Sequence, residues 1–166
     1  MGLSKFEYKV FDMRLLILIW ILFPAIGFSQ PQWVLIVRPL INYFMENSVH
    51  LGNGVNCFAI TKQADFRKMF GVAKTMDNKI VEPDFDKENV IVIAEPTSNH
   101  DMVITFTDAM RAGDFIEVYC KIEKKKYPLS YEVEHVCAGI IPKYPGVKKM
   151  RFYDERRKLL GEVRMN

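Results

Sequence analysis

The chain has 166 residues, 49% of them hydrophobic and 26% charged, with a formal net charge of +3. Its 21 aromatic residues exclude a disordered chain, and 17 glycines and prolines without a period exclude collagen-like or low-complexity classes. A charge so close to zero gives no footprint for a polyanion partner.

The first feature in chain order is hydrophobic. Residues 15–28 read LLILIWILFPAIGF, without a charge, and Arg14 stands directly before them with Lys5 and Lys9 upstream. A bilayer core of ~30 Å needs roughly 20 apolar residues of helix, so the run is short for a spanning anchor. It fits the roughly 7–15-residue core of a secretory signal peptide with its basic flank. Gly27 and Ser29 place small residues where a signal peptidase reads, which predicts cleavage before Gln30. Met13 is an alternative start that would leave Arg14 as the only basic residue of the leader. The competing readings are an uncleaved anchor, which would be the only membrane link, and a buried core helix. The first cysteine is Cys57, so no lipid-modified cysteine is expected at the new N-terminus. The chain reads as a signal peptide over 1–29 and one domain over 30–166, exported to the periplasm, the cell envelope or the medium.

Residues 1–29 carry Lys5, Lys9 and Arg14 against Glu7 and Asp12, which leaves 137 residues with a net charge of +2. A chain of that size buries about two thirds of its unfolded surface. Trp33 to Val37 is a short apolar run ended by Arg38-Pro39, a candidate first strand. Gly52-Asn53-Gly54 predicts a turn, and Cys57 to Ile60 a strand. Phe66, Met69 and Phe70 then share one face at helical spacing. They predict a helix over 62–70 with Thr61 as its N-cap and Gly71 closing it in a left-handed conformation.

Beyond the helix the period becomes two. Val90 to Ala94 is a continuous apolar run, as expected of a strand covered on both faces. Met102, Ile104 and Phe106 alternate with Val103, Thr105 and Thr107. After the turn at Ala112-Gly113-Asp114, Ile116, Val118, Cys120 and Ile122 alternate with polar residues. Tyr131, Val133, His135 and Cys137 alternate with Glu132 and Glu134. Residues 148–153 and 158–163 make a last hairpin across Asp154 to Arg157. Five to seven short strands and one helix predict a mainly β, formally α+β, domain built as an antiparallel sheet or small sandwich.

Chemistry is sparse. Asp84-Phe85-Asp86-Lys87-Glu88 spaces acids alternately, but an EF-hand loop requires glycine sixth and glutamate twelfth, and Asn89 stands sixth. The segment reads as a solvated turn. Glu95, Pro96, Thr97, Ser98, Asn99, His100 and Asp101 read as a polar loop between two strands, the presented surface on which binding is expected. Ser98, His100 and Asp101 include the residue types of an acyl-transfer triad, but four consecutive positions cannot easily line up a nucleophile, base and orienter. Cys120 and His135 suggest a thiolate pair, yet Cys120 shares its face with Ile116, Val118 and Ile122 and reads as a core residue bridged to Cys137 or Cys57. One internal bridge at most is possible. His50, His100 and His135 show no metal-ligand spacing, and no dinucleotide or phosphate loop is present, so no metal or cofactor is expected. Lys124, Lys125 and Lys126 are interspersed with glutamates and read as a solvated face rather than a nucleic-acid site.

Three segments resemble the PrcB-like domain. Phe58-Ala59-Ile60-Thr61 with Gln63-Ala64-Asp65-Phe66 is similar to its opening strand and helix. Pro83 to Val92 resembles its P-x-D-F-x-K-E-x-V-V-V strand, and Val136 to Lys143 its closing strand. The resemblance covers about residues 57–153. It departs at Ala94 to Asp101, where the family has a Gly-rich loop, and in lacking the lipid-attachment cysteine. The resemblance implies an exported, non-enzymatic accessory subunit of a surface protease complex, with another exported protein as partner. A small β-scaffold proteinase inhibitor is the alternative, and an envelope hydrolase using Ser98 or Cys120 the third reading.

Overall fold

The structure is a computed structural model that describes residues 33–73 and 80–165, all within one unit, Pro31–Asn166. The hydrophobic leader and its cleavage point before Gln30 lie outside the described residues. The domain is mainly β with one short helix. In chain order it has β1 (Trp33–Val34), β2 (Arg38–Pro39), β3 (Tyr43–Met45), β4 (Asn56–Ile60), α1 (Gln63–Met69), β5 (Phe70–Val72), β6 (Glu88–Ala112), β7 (Phe115–Pro142), β8 (Lys149–Asp154) and β9 (Leu159–Arg164).

Two very long strands organise everything else. β6 and β7 run antiparallel from the turn at Gly113 and Asp114 to the pair Glu88 and Pro142. A straight strand of 28 residues would span about 90 Å. Yet six residues, 143–148, carry the chain from the end of β7 back to Lys149, which pairs with Phe115 at its start. Six residues reach only about 25 Å. The hairpin therefore has to bend back on itself, and its register shifts between Glu95 and Met102 and between Phe106 and Asp108 supply the bend.

The bend makes two walls from the same two strands. In the first wall β4 pairs with residues 90–94 of β6, and β2 with Gly139 and Ile140 of β7. In the second wall β1 pairs with Met110 and Arg111 of β6, β8 with the start of β7, and β9 with β8. Alternation decides what lies between them. Ile91, Ile93 and Ile141 from one wall meet Ala109, Ile116, Val118, Cys120, Met150 and Phe152 from the other in one core. On the outer face of the first wall, Val90, Val92, Ala94 and Ile140 pack under Ile60, Phe66, Phe70 and Met45. The run 90–94 is thus covered on both faces, as its unbroken apolarity predicts.

Helix α1 supplies the cover. Phe66 is its buried residue, edge-on to Tyr43 at 5.2 Å, stacked on Phe70 at 5.2 Å and tilted against Phe85 at 5.5 Å. Both expected helix ends move. Lys62, not Thr61, is the N-cap and gives no side-chain hydrogen bond, so docking rather than capping holds this two-turn helix. At the other end Phe70 is extended and Gly71 lies in β5, opposite Phe44. A Cβ on Gly71 would stand 2.4 Å from Phe44 Cζ and from Glu46 Oε1, so close approach of the ribbon β3–β5 explains the glycine. The turn at Gly52 to Gly54 forms as expected, with the Asn56 side-chain amide donating to the carbonyls of Gly52 and Gly54.

Among the described residues the strands pair antiparallel as expected, with one parallel pairing, β7 with β8. The cause is the bend, which returns the chain to the start of β7 pointing the same way. Residues 95–101 do not form a loop between strands but the middle of β6. The expected bridge from Cys120 to Cys137 is absent: Cys57, Cys120 and Cys137 are all free thiols. Cys120 projects from the second wall and Cys137 from the first, each fixed by its own ladder.

Candidate functional site

The segment singled out for binding occupies the bend of the hairpin. β4 leaves β6 after Ala94, and β1 joins it only at Met110, with Leu35 N–H donating to the Ala109 carbonyl at 2.7 Å. On the other strand β8 accompanies β7 only to Cys120, and β2 resumes with Leu40 N–H donating to the Ala138 carbonyl at 3.0 Å. Among the described residues, the intervening stretch is therefore a two-stranded arm with both outer edges unpaired.

Irregular pairing shapes the arm. Glu95 pairs with His135, Ser98 with Val133, His100 with Pro128 and Met102 with Lys124. Seven steps along β6 from Glu95 to Met102 face eleven along β7, so β7 bulges outward. Residues 123–128 are exposed throughout, with Tyr127 73% and Tyr131 62% accessible. Two ion pairs cross the arm. Lys125 Nζ donates to Asp101 Oδ2 at 2.5 Å, and Lys124 Nζ lies 3.9 Å from Glu95 Oε2. The Lys125 hydrogen bond, ahead of all other influences, holds the Asp101 carboxyl below its usual range.

The arm contains no relay. Ser98 Oγ donates to the carbonyl of His100 at 3.3 Å, and the Asp101 carboxylate is taken by Lys125. His100 and Asn99 are exposed. The Cys120 and His135 pairing fails as well. His135 is 5% accessible, and its Nε2 has no hydrogen-bond partner. Burial pushes the Cys120 thiol up to about 12 and the Cys57 thiol up to about 11. Burial raises Cys137 as well. A thiol becomes a nucleophile by losing its proton, and these environments oppose that loss.

Acidic residues before β6 are spent on structure. Asp84 Oδ1 accepts from the Asp86 amide at 3.1 Å, and Lys87 Nζ lies 3.2 Å from Asp84 Oδ2. Glu88 accepts from the Asp84 amide at 3.0 Å and also pairs with Arg38. The turn lines an open cleft of about 480 Å³ with Thr61, Lys62, Gln63 and Lys143, whose ammonium donates to the Phe85 carbonyl at 3.0 Å. Among the described residues no group of three His, Cys, Asp or Glu side chains is placed to hold a metal ion. Among the described residues no helix is long and apolar enough to cross a membrane.

Sequence reading placed attention on residues 95–101 but missed their strand partner. The exposed Lys124, Lys125 and Lys126 with Tyr127 and Tyr131 form the outer side of the same arm. Their signal was present as a lysine run without strict alternation, followed by two aromatics. Compared with protein-family models, with curated proteins and with solved structures, the chain matches none.

Proposed function

We propose that the protein is an exported, non-catalytic protein-binding domain, delivered by the leader over 1–29 and accessory to a protease assembly. The observation that carries the binding half of this reading is the arm. Two unpaired strand edges, exposed tyrosines and a lysine run together form a surface that the domain's own core does not use. Strand edges and exposed aromatics are standard means of capturing a protein segment. The non-catalytic half is supported by the protonated, buried thiols and by the spent hydroxyl and carboxylate at Ser98 and Asp101. The protease as partner class comes from the PrcB-like resemblance alone.

The test is a crosslinked capture with the full chain, tagged at its C-terminus and expressed in its native cells. Mass spectrometry then identifies what is joined to it. A protease recovered in stoichiometric amount is the expected result. Recovery of the tagged chain alone would refute a stable accessory role.

A further inference from the structure

The two edges of the arm are not equivalent. On β7, residues 121–131 read KIEKKKYPLSY, four lysines against one glutamate. Lys121 and Glu123 pair with each other at 2.7 Å, Lys125 is held by Asp101 and Lys124 lies near Glu95. Among the described residues Lys126 meets only the ring of Tyr127, at 5.6 Å from its centroid. The edge therefore carries excess positive charge along an exposed and unpaired backbone.

Lysines, prolines and bulges are also how proteins keep open edges from pairing with their own copies. They do so here. A second copy overlaid on this edge would set lysine run against lysine run, and like charges directly opposite one another destabilise a strand pair. An acid-rich strand meets no such charge barrier. Its backbone would complete the open ladder, and its carboxylates would face Lys124, Lys125 and Lys126. Pro128 has no N–H to donate, so the ladder ends there and sets the length. Tyr127, just inside that end, is the most exposed of these aromatics and gives an anchor.

We propose that the outer edge of β7 from Lys121 to Tyr127 receives an extended, acid-rich segment of a protein partner as an added strand. This rests on the protein-binding reading above and names the surface and chemistry of that contact.

The probe is a synthetic ten-residue peptide that alternates Glu with Val and Thr, titrated into the isotope-labelled full chain. Two control peptides carry Lys in place of Glu, or a central proline that breaks the strand. At tenfold excess over Kd, amide exchange across 121–127 should slow by about tenfold, and only with the acidic strand-former. Added salt should weaken the effect. The variant K124E/K125E/K126E should abolish it, and K126E, which breaks neither the Glu95 nor the Asp101 ion pair, should weaken it with the circular dichroism spectrum and Tm unchanged. No protection at 121–127, equal protection by the Lys peptide, or protection elsewhere would each overturn the assignment. So would self-association of the chain through the same amides as its concentration rises. Crosslinked capture that survives the triple substitution would sink this edge while leaving the protein-binding reading standing. Capture by neither form would count against that reading itself.

Discussion

Val37 sits directly over Gly139. A Cβ on Gly139 would stand 2.6 Å from Val37 Cγ1 and 3.2 Å from the Phe106 ring, closer than packed carbon atoms tolerate. Gly139 lies in β7 where β2 joins the first wall, and Phe106 belongs to the second, so the bare backbone lets the walls approach. The substitution Gly139→Ala should cost about 1–3 kcal/mol, the usual range for overpacking a core. Val37→Ala removes the atom in the way. Denaturant unfolding of the double variant should therefore lose less than the sum of the two single losses. Strict additivity would show that the contact is not what demands the glycine.

Burial separates two classes of aromatic residue. Phe152 is fully enclosed between the walls, and Phe66 anchors the helix to the first wall's outer face. Alanine at either position should cost about 3–5 kcal/mol. Alanine at Tyr127, which stands in solvent, should change stability by no more than about 0.5 kcal/mol. Urea midpoints for the three variants check the ordering.

The thiols give a pH prediction. Cys57 and Cys120 ionise near 11 and 12 when folded, against an ordinary value of 9.0. A raised value means that the folded state holds its proton more tightly. The associated stability is complete below about pH 9 and is lost as pH rises through 11–12. Alkaline unfolding should accordingly begin in that window, and Cys120→Ala should change its midpoint. At pH 8, iodoacetamide should modify Cys57 and Cys120 about a hundredfold or more slowly in the folded than in the urea-unfolded protein, because only the thiolate reacts. All three thiols should titrate after unfolding without reductant. A bridged pair would leave only one.

Acid should act on the arm with the opposite sign. Lys125 lowers the Asp101 carboxyl, so its contribution is present above the ordinary carboxylate range and is lost as pH falls through the lowered folded value. Asp101→Asn should remove that part of the acid dependence. In amide exchange measured from pH 6 down to pH 3, the arm of the wild-type protein should open more steeply than that of the variant. Parallel profiles would show that the ion pair does not steady the arm.

The sequence revealed this architecture wherever side-chain alternation recorded a face. The run 90–94 announced burial on both sides, residues 116–122 announced a one-sided strand, and Phe66 with Phe70 announced a helix against a sheet. Residues 95–101 misled because bulges break alternation. Polar residues beside Pro96 and Pro128 look the same in a bulged strand as in a loop. The parallel partnership of β7 with β8 was not legible either, since direction depends on where the bend returns the chain. Gly71 was misread because close backbone approach and a left-handed turn both select glycine. The arm's location was therefore visible as polar sequence, while its open edges emerge only from the full set of strand pairings.

The shared strands have a consequence for how the molecule comes apart. In most two-layer β proteins each layer owns its strands, so one layer can loosen while the other persists. Here β6 and β7 run through both walls, and the turn at Gly113 joins them. Separating the walls exposes Ile91 and Phe152 together, and fraying β6 removes the partner of β4 in one wall and of β1 in the other. Loosening one wall therefore disturbs the other, and denaturant unfolding followed by probes in either wall should give coincident transitions.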